Sequence, residues 1–220
     1  TGEKISQVSV YEKSSITSAV TDEFGYFKLK LEKKSDSISI SISKKNYRDT
    51  IISITATDNY YFIFPIQSIQ HDTVQRIANT KTDTTSIGGK KKEELNLLYE
   101  SEPNIQNIRD TLHNLAQVSY LPFLGTNGRL SANTINDYSI NFFGGYSMGT
   151  KEIELGFFFN LDRSDVSWLQ IAGFGNMVGG KLYGIQAAGF FNLNAGETEA
   201  VQLAGFANTN LANTKGVQVA

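Results

Sequence analysis

LQIAGFGNMVGGKLYG (169–184), IQAAGFFNLNAGETEA (185–200), VQLAGFANTNLANTKG (201–216) and VQVA (217–220) follow one another without interruption in the C-terminal quarter of the chain. Aligned without a gap, these rows put Gln170, Gln186, Gln202 and Gln218 in one column and Ala172, Ala188, Ala204 and Ala220 in another. Three further columns do not vary over the full rows: Gly173, Gly189 and Gly205; Phe174, Phe190 and Phe206; and Asn176, Asn192 and Asn208. The position before each glutamine is aliphatic, as Leu169, Ile185, Val201 and Val217. An ungapped repeat this short makes each row a unit that buries its inner face only by lying against its neighbours. It ends inside a fourth row, which leads to the expectation that further rows follow.

Two architectures suit a row of this length. In a parallel β-solenoid each row is one coil, stacked about 4.8 Å from the next. Gln then lies over Gln and Asn over Asn as amide ladders, Phe stacks on Phe, and the glycines turn the corners. In an antiparallel meander each row is a strand plus a loop, and such strands could close a membrane barrel. That arrangement would turn Ile185, Ala187, Gly189, Phe191 and Leu193 to lipid and Gln186, Ala188, Phe190 and Asn192 inward. Uniform row length and in-register identity favour the solenoid, because like stacks on like only between parallel neighbours. The meander stays open on the strand lengths of residues 138–161.

Upstream, Tyr138–Met148 and Glu152–Leu161 alternate around Gly149-Thr150-Lys151, which predicts a long hairpin. Sixteen residues before Asn176 and Phe174 stand Asn160 and Phe158, so the second of these strands also reads as a first, degenerate row. The third region is therefore 119–220, a hairpin and then the repeats. Residues 67–118 read as a connector. The stretch TKTDTTS (80–86), Gly88-Gly89 and Lys90-Lys91-Lys92 is too polar to offset the entropy of ordering. Leu95, Leu98 and Tyr99 fit one short helix, and Ile105, Ile108, Leu112 and Leu115 a second, starting after Pro103.

Residues 1–66 have a period of two. Val8 and Val10, then Phe27, Leu29 and Leu31, then Ile38, Ile40 and Ile42, then Ile52 and Ile54, alternate with polar partners, and an aromatic run spans 60–64. Turn residues separate them, as Asp22-Glu23-Phe24-Gly25 and Lys45-Asn46 do. Short strands at this spacing predict a small β-sandwich. The whole chain is thus expected to be all-β: a sandwich, a linker with short helices, and a repeat array.

Composition excludes more than it assigns. The 220 residues carry 20 basic and 22 acidic side chains, a net charge of −2, which is no electrostatic footprint for nucleic acid. With no cysteine there is neither a disulfide framework nor a thiolate metal site. No apolar run is long enough for a spanning helix. His71 and His113 have no acidic or histidine partner at ligand spacing and read as surface residues. Asp22 and Glu23 read as turn carboxylates that accept the turn's own amides, and Asp162 and Asp165 as turn residues. Lys90-Lys91-Lys92 is cancelled by Glu93-Glu94, and Gly179-Gly180-Lys181 lacks the preceding strand of a phosphate loop and reads as a row corner. No catalytic, cofactor or metal site is expected. The residues that matter are the repeat columns. Only Lys181, Glu197, Glu199 and Lys215 are charged in 169–220. Such a surface suits a membrane, a protein partner or a polysaccharide.

Two stretches resemble known families. VTDEFGYFKL (20–29), followed by ISKKNY (42–47), resembles the carboxypeptidase regulatory-like domain, with its TDxxGxF turn and a later strand ending in GY. Asn46 stands where that family has glycine, and asparagine tolerates the left-handed backbone such a turn needs. The resemblance implies a transthyretin-like sandwich without catalysis, of a kind found ahead of bacterial envelope proteins and outer-membrane receptors. VSYLPFLGTNGRLSANTINDYSINFFGGYS (118–147), ELGFFFN (154–160) and the serial QxAGFxN rows resemble the bacterial surface-repeat proteins first named from spirochaetes. That implies a non-enzymatic protein of the cell surface or outer membrane, a scaffold for binding or assembly. Its partners would be envelope protein, polysaccharide or the outer membrane. The alternative is a barrel pore or transport component with a periplasmic sandwich.

Overall fold

Alternation at Val8 and Val10 and at Ile38, Ile40 and Ile42 builds a first sheet in the computed structural model, which describes residues 3–31, 36–55, 61–69 and 102–220. Its strands are β1 (Ser9–Glu12), β2 (Thr17–Val20), β3 (Ser37–Ser43) and β4 (Thr50–Thr55), in the order β2-β1-β3-β4. β3 pairs antiparallel with β1 through Val10↔Ile42 and with β4 through Ile40↔Ile52. The chain divides into two compact units, Thr1–Glu12 with Ala19–Ile108 and Lys13–Ser18 with Arg109–Ala220.

In the first unit Val8, Val10, Ile40 and Ile42 form the core. Two extended segments cover it, sending Phe27, Leu29 and Leu31 from one and Phe64 and Ile66 from the other inward. These segments keep the expected alternation but are extended without regular ladder pairing, so the second layer of the sandwich packs by side chains more than by ladder bonds. The Asp22 turn forms as its chemistry requires: one carboxylate oxygen accepts the amides of Phe24 at 2.9 Å and Tyr26 at 2.8 Å, and Gly25 takes φ +75°. Asn46 sits at φ +68°. A short helix, α1 (Pro103–Asn107), lies on β1, where the buried Asn107 amide donates to the Gln7 carbonyl at 2.7 Å and Ser9 Oγ donates to Asn104 at 2.7 Å.

The second unit is a parallel β-solenoid of about 5 turns. Each turn is a long strand, a corner and a short strand. The long strands are β5 (Leu112–Leu121), β7 (Thr134–Asn141), β9 (Gly149–Gly156), β11 (Val166–Ala172), β13 (Leu182–Ala188), β15 (Thr198–Ala204) and β17 (Thr214–Val219). The short ones are β8 (Gly144–Ser147), β10 (Phe159–Asp162), β12 (Gly175–Val178), β14 (Phe191–Asn194) and β16 (Ala207–Asn210). The long strands stack into an 8-stranded sheet, closed at one end by the two-residue β6 (Leu124–Gly125), and the short strands stack into a 5-stranded sheet. Apart from the antiparallel β5–β6 pair, every ladder in both sheets is parallel. Gln170, Gln186, Gln202 and Gln218 are direct register partners, as are Asn160, Asn176, Asn192 and Asn208. This parallel register overturns the antiparallel meander, and with it the barrel that needed antiparallel strands.

Three expectations change. The predicted hairpin at 138–161 does not form: β7 and β9 pair in parallel, because the chain turns a corner at Phe142-Phe143 and continues as β8 in the other sheet. Residues on either side of that corner alternate in hydropathy as if nothing intervened. The helix expected through Leu115 stops at Asn107, and Leu112 and Leu115 belong to β5, so the array begins before residue 119. Their spacing fits a helical face, but Leu112 pairs with Thr134 in the ladder. The other expected helix, at Leu95–Tyr99, and His71 fall outside the described residues, as does most of the connector.

Candidate functional site

The interior of the solenoid is built from amides. Gln186 is 0% exposed and makes four hydrogen bonds. Its Nε2 donates to Gln170 Oε1 at 2.7 Å and to Asn194 Oδ1 at 3.0 Å, while its Oε1 accepts from Asn194 Nδ2 and Gln202 Nε2, both at 2.9 Å. The other column runs Asn160 to Asn176 to Asn192 to Asn208, with spacings of 2.9, 2.9 and 2.7 Å. Each of these asparagines also donates to a backbone carbonyl of the long strand that follows, as Asn176 does to Ala187 at 2.8 Å. Every lone pair and N–H used this way is one fewer buried polar group to be desolvated without return.

Strand alternation explains the placement. On β13, Gln186 and Leu182 point inward and Ile185 outward; the Gly189-Phe190 corner interrupts the alternation without changing its parity, and Asn192 and Asn194 point inward. The corner glycines allow close stacking of coils. A Cβ on Gly173, Gly189 or Gly205 would lie 1.9, 2.1 or 2.2 Å from a backbone carbonyl oxygen of the previous coil. The neighbouring phenylalanines stack outside: Phe174, Phe190 and Phe206 have ring centroids 5.1 and 4.9 Å apart. Tyr120, Phe142 and Phe157 form a second stack nearer the capped end, at 4.7 and 5.7 Å.

Two features escaped sequence analysis. One is Asn141. At the level of Gly145, the register partner of Asn160, the column has no side chain of its own. Asn141 fills the gap from β7 and donates to Asn160 at 2.8 Å and to Glu154 at 2.9 Å. The other is Asp162, expected in a turn but in fact buried in the core opposite Glu154. Gln170 Nε2 donates to both, at 2.7 Å to Asp162 and 2.8 Å to Glu154, and Ser147 Oγ donates to Asp162 at 2.6 Å. Burial, then the Glu154 carboxyl beside it, push the Asp162 pKa well above the ordinary carboxylate range. Glu154 continues the glutamine column, and Asp162 the column of Asn194 and Asn210. A spacing of eight from Gln186 to Asn194 and from Gln202 to Asn210 marks that second column in the sequence, but Val178 interrupts it.

The sign of the pH effect follows. The raised pKa means that native Asp162 keeps its proton to higher pH than the unfolded chain, which releases it near the usual carboxylate value of about 4. Over that interval the native state binds more protons, and stability falls as pH rises toward the raised native value. Asp162→Asn puts at this site the residue that rows further along already use. It should stabilise the protein at neutral pH by about 1–3 kcal/mol. It should also flatten the decline in stability between mildly acidic and mildly alkaline buffer. Urea unfolding of both proteins at the two pH values checks this, and an unchanged slope in the variant would contradict the assignment.

The remaining candidates resolve as structure. Asp165 accepts the Lys181 amide of the next coil at 2.7 Å, so Gly179-Gly180-Lys181 is a corner held from below. His113 is exposed on β5. Among the described residues no three His, Cys, Asp or Glu side chains gather where a metal could sit. A shallow hollow of about 290 Å³ in the first unit is lined by Arg48, Asp49, Thr50, Pro65 and Gln67. No described helix is long and apolar enough to cross a membrane.

The outer face of the 8-stranded sheet is an apolar surface with no assigned role. Two columns of mostly aliphatic side chains cross it, one through Ile153, Leu169, Ile185 and Val201, the other through Ile140, Leu155, Ile171 and Leu203. Most of these are substantially exposed, for example Ile185 at 47% and Leu203 at 43%. Comparison with family models, with curated proteins and with solved structures finds no match to the chain.

Proposed function

We propose that this chain is a non-enzymatic scaffold of a bacterial cell envelope, whose solenoid holds an apolar face in place for binding or assembly. One observation carries the reading: a rigid interior of paired amides supports an exterior of in-register aliphatic columns and stacked phenylalanines. Apolar patches beyond a few hundred Å² mark places where a protein meets a partner. The buried carboxyl pair does not compete as a reactive centre, since Asn141, Ser147 and Gln170 occupy its oxygens. The resemblance of the repeats to bacterial surface-repeat proteins, and of residues 20–47 to regulatory-like modules, supports the envelope assignment.

A parallel solenoid lies against a membrane or wall and does not span it. In cells that make the protein it should sediment with envelopes and be released by alkaline carbonate. Recovery in the cytosolic fraction would defeat the envelope reading. Retention in the pellet after carbonate would mean that it is anchored by something other than this fold.

A further inference from the structure

We infer that the outer face of the 8-stranded sheet is a homodimer interface, covered by the same face of a second copy of this chain. The inference rests on the scaffold part of the proposed function and is independent of the envelope. The strands of this sheet leave their outer aliphatic columns in solvent, with Ile185 at 47% and Leu203 at 43% exposure, and contiguous exposed apolar patches mark interaction surfaces. Seven stacked strands of about seven residues span about 34 by 23 Å, or about 780 Å². A stable interface needs about 800 Å² from each partner. The even register of β11, β13, β15 and β17 makes the column spacing regular, so an inverted copy can set its own columns between them.

The border of the face argues for self-pairing. Asp137, Lys151, Glu152, Glu199 and Lys215 lie beside the aliphatic columns and mix both signs, with a net charge of −1. A two-fold interface brings each border residue against the same border of its twin, which tolerates mixed signs and not a single sign. A lipid-binding face would carry a basic border instead. Trp168 stands at this border, 67% exposed and held at φ +65°, where the following rows have Gly184, Ala200 and Gly216. Backbone strain of this kind persists at sites of function, and tryptophan is the residue most enriched among interface anchors.

Sedimentation of the intact chain, with Ile185→Lys and Leu203→Lys, tests the inference. The wild type should sediment as a dimer at micromolar concentration and both variants as monomers with unchanged far-ultraviolet circular dichroism. Trp168 is the single tryptophan of the chain, so its emission should shift to shorter wavelength as wild-type protein is concentrated through the transition. That reading stands even if a variant fails to fold. A monomeric wild type, an emission that ignores concentration, or dimers that survive both substitutions would each overturn the interface. The last would place the contact elsewhere on the chain. A monomer that binds phosphatidylcholine–phosphatidylglycerol vesicles would replace the second copy by lipid and leave the scaffold reading standing.

Discussion

Gln186→Leu should destabilise the solenoid by about 3–5 kcal/mol, although the side chain is nearly conserved in volume and gains hydrophobicity. The change removes four hydrogen bonds at once and strands their partners in a dry interior. Gln170 Oε1 loses its donor from the next row, Asn194 loses both its donor and its acceptor on the facing strand, and Gln202 Nε2 keeps only its 3.3 Å contact to Asn210. A buried polar group without a partner costs about 1–3 kcal/mol, and several are created together. Tyr183 supplies the control: it lies on the same strand, β13, and is 60% exposed outside the column. Tyr183→Leu should therefore cost less than about 1 kcal/mol. Urea unfolding followed by circular dichroism separates the two. Equal small losses at both positions would mean that the ladder is a consequence of stacking and contributes little to it.

The contrast shows what a repeat makes legible. A column that never varies can be read directly: glutamine beneath glutamine needs a parallel register, and the observed Gln170↔Gln186↔Gln202 pairing is that register. The stacked Phe174, Phe190 and Phe206 follow from the same row arithmetic. Arithmetic fails where the spacing changes. Between β8 and β10 the offset is Gly144↔Phe159, one residue short of the later Phe159↔Gly175, and the ladder of β7 on β9 contains a register shift. A continuous alternation then looks like one long strand, and the corner at Phe142-Phe143 is hidden. Asn141 is harder still, because it repairs the asparagine column from a strand to which that column does not belong. Asp162 was obscured by its type: isolated carboxylates belong in turns on average, and only its register with Asn194 and Asn210 places it inside.

Gly189→Ala should cost about 2–4 kcal/mol, the larger end of what overpacking a close contact does. The added methyl would meet the Gly173 carbonyl oxygen at 2.1 Å, and that oxygen is backbone, so no rotamer change relieves it. The coils would have to part by about 1 Å to reach ordinary contact. Parting them stretches the bond from the Gly189 amide to the Ala172 carbonyl, now 3.1 Å, and opens the Phe174–Phe190–Phe206 stack beside it. The cause is crowding and not conformation, since Gly189 does not have positive φ whereas Gly184 and Gly216 do. Asparagine tells the two causes apart. Where a left-handed backbone is the requirement, asparagine is tolerated better than alanine; where a carbonyl occupies the space of a Cβ, it is at least as harmful. Gly189→Asn should thus be no more stable than Gly189→Ala. Rescue by asparagine would show that the corner needs a backbone angle, and that the coils have room to spare.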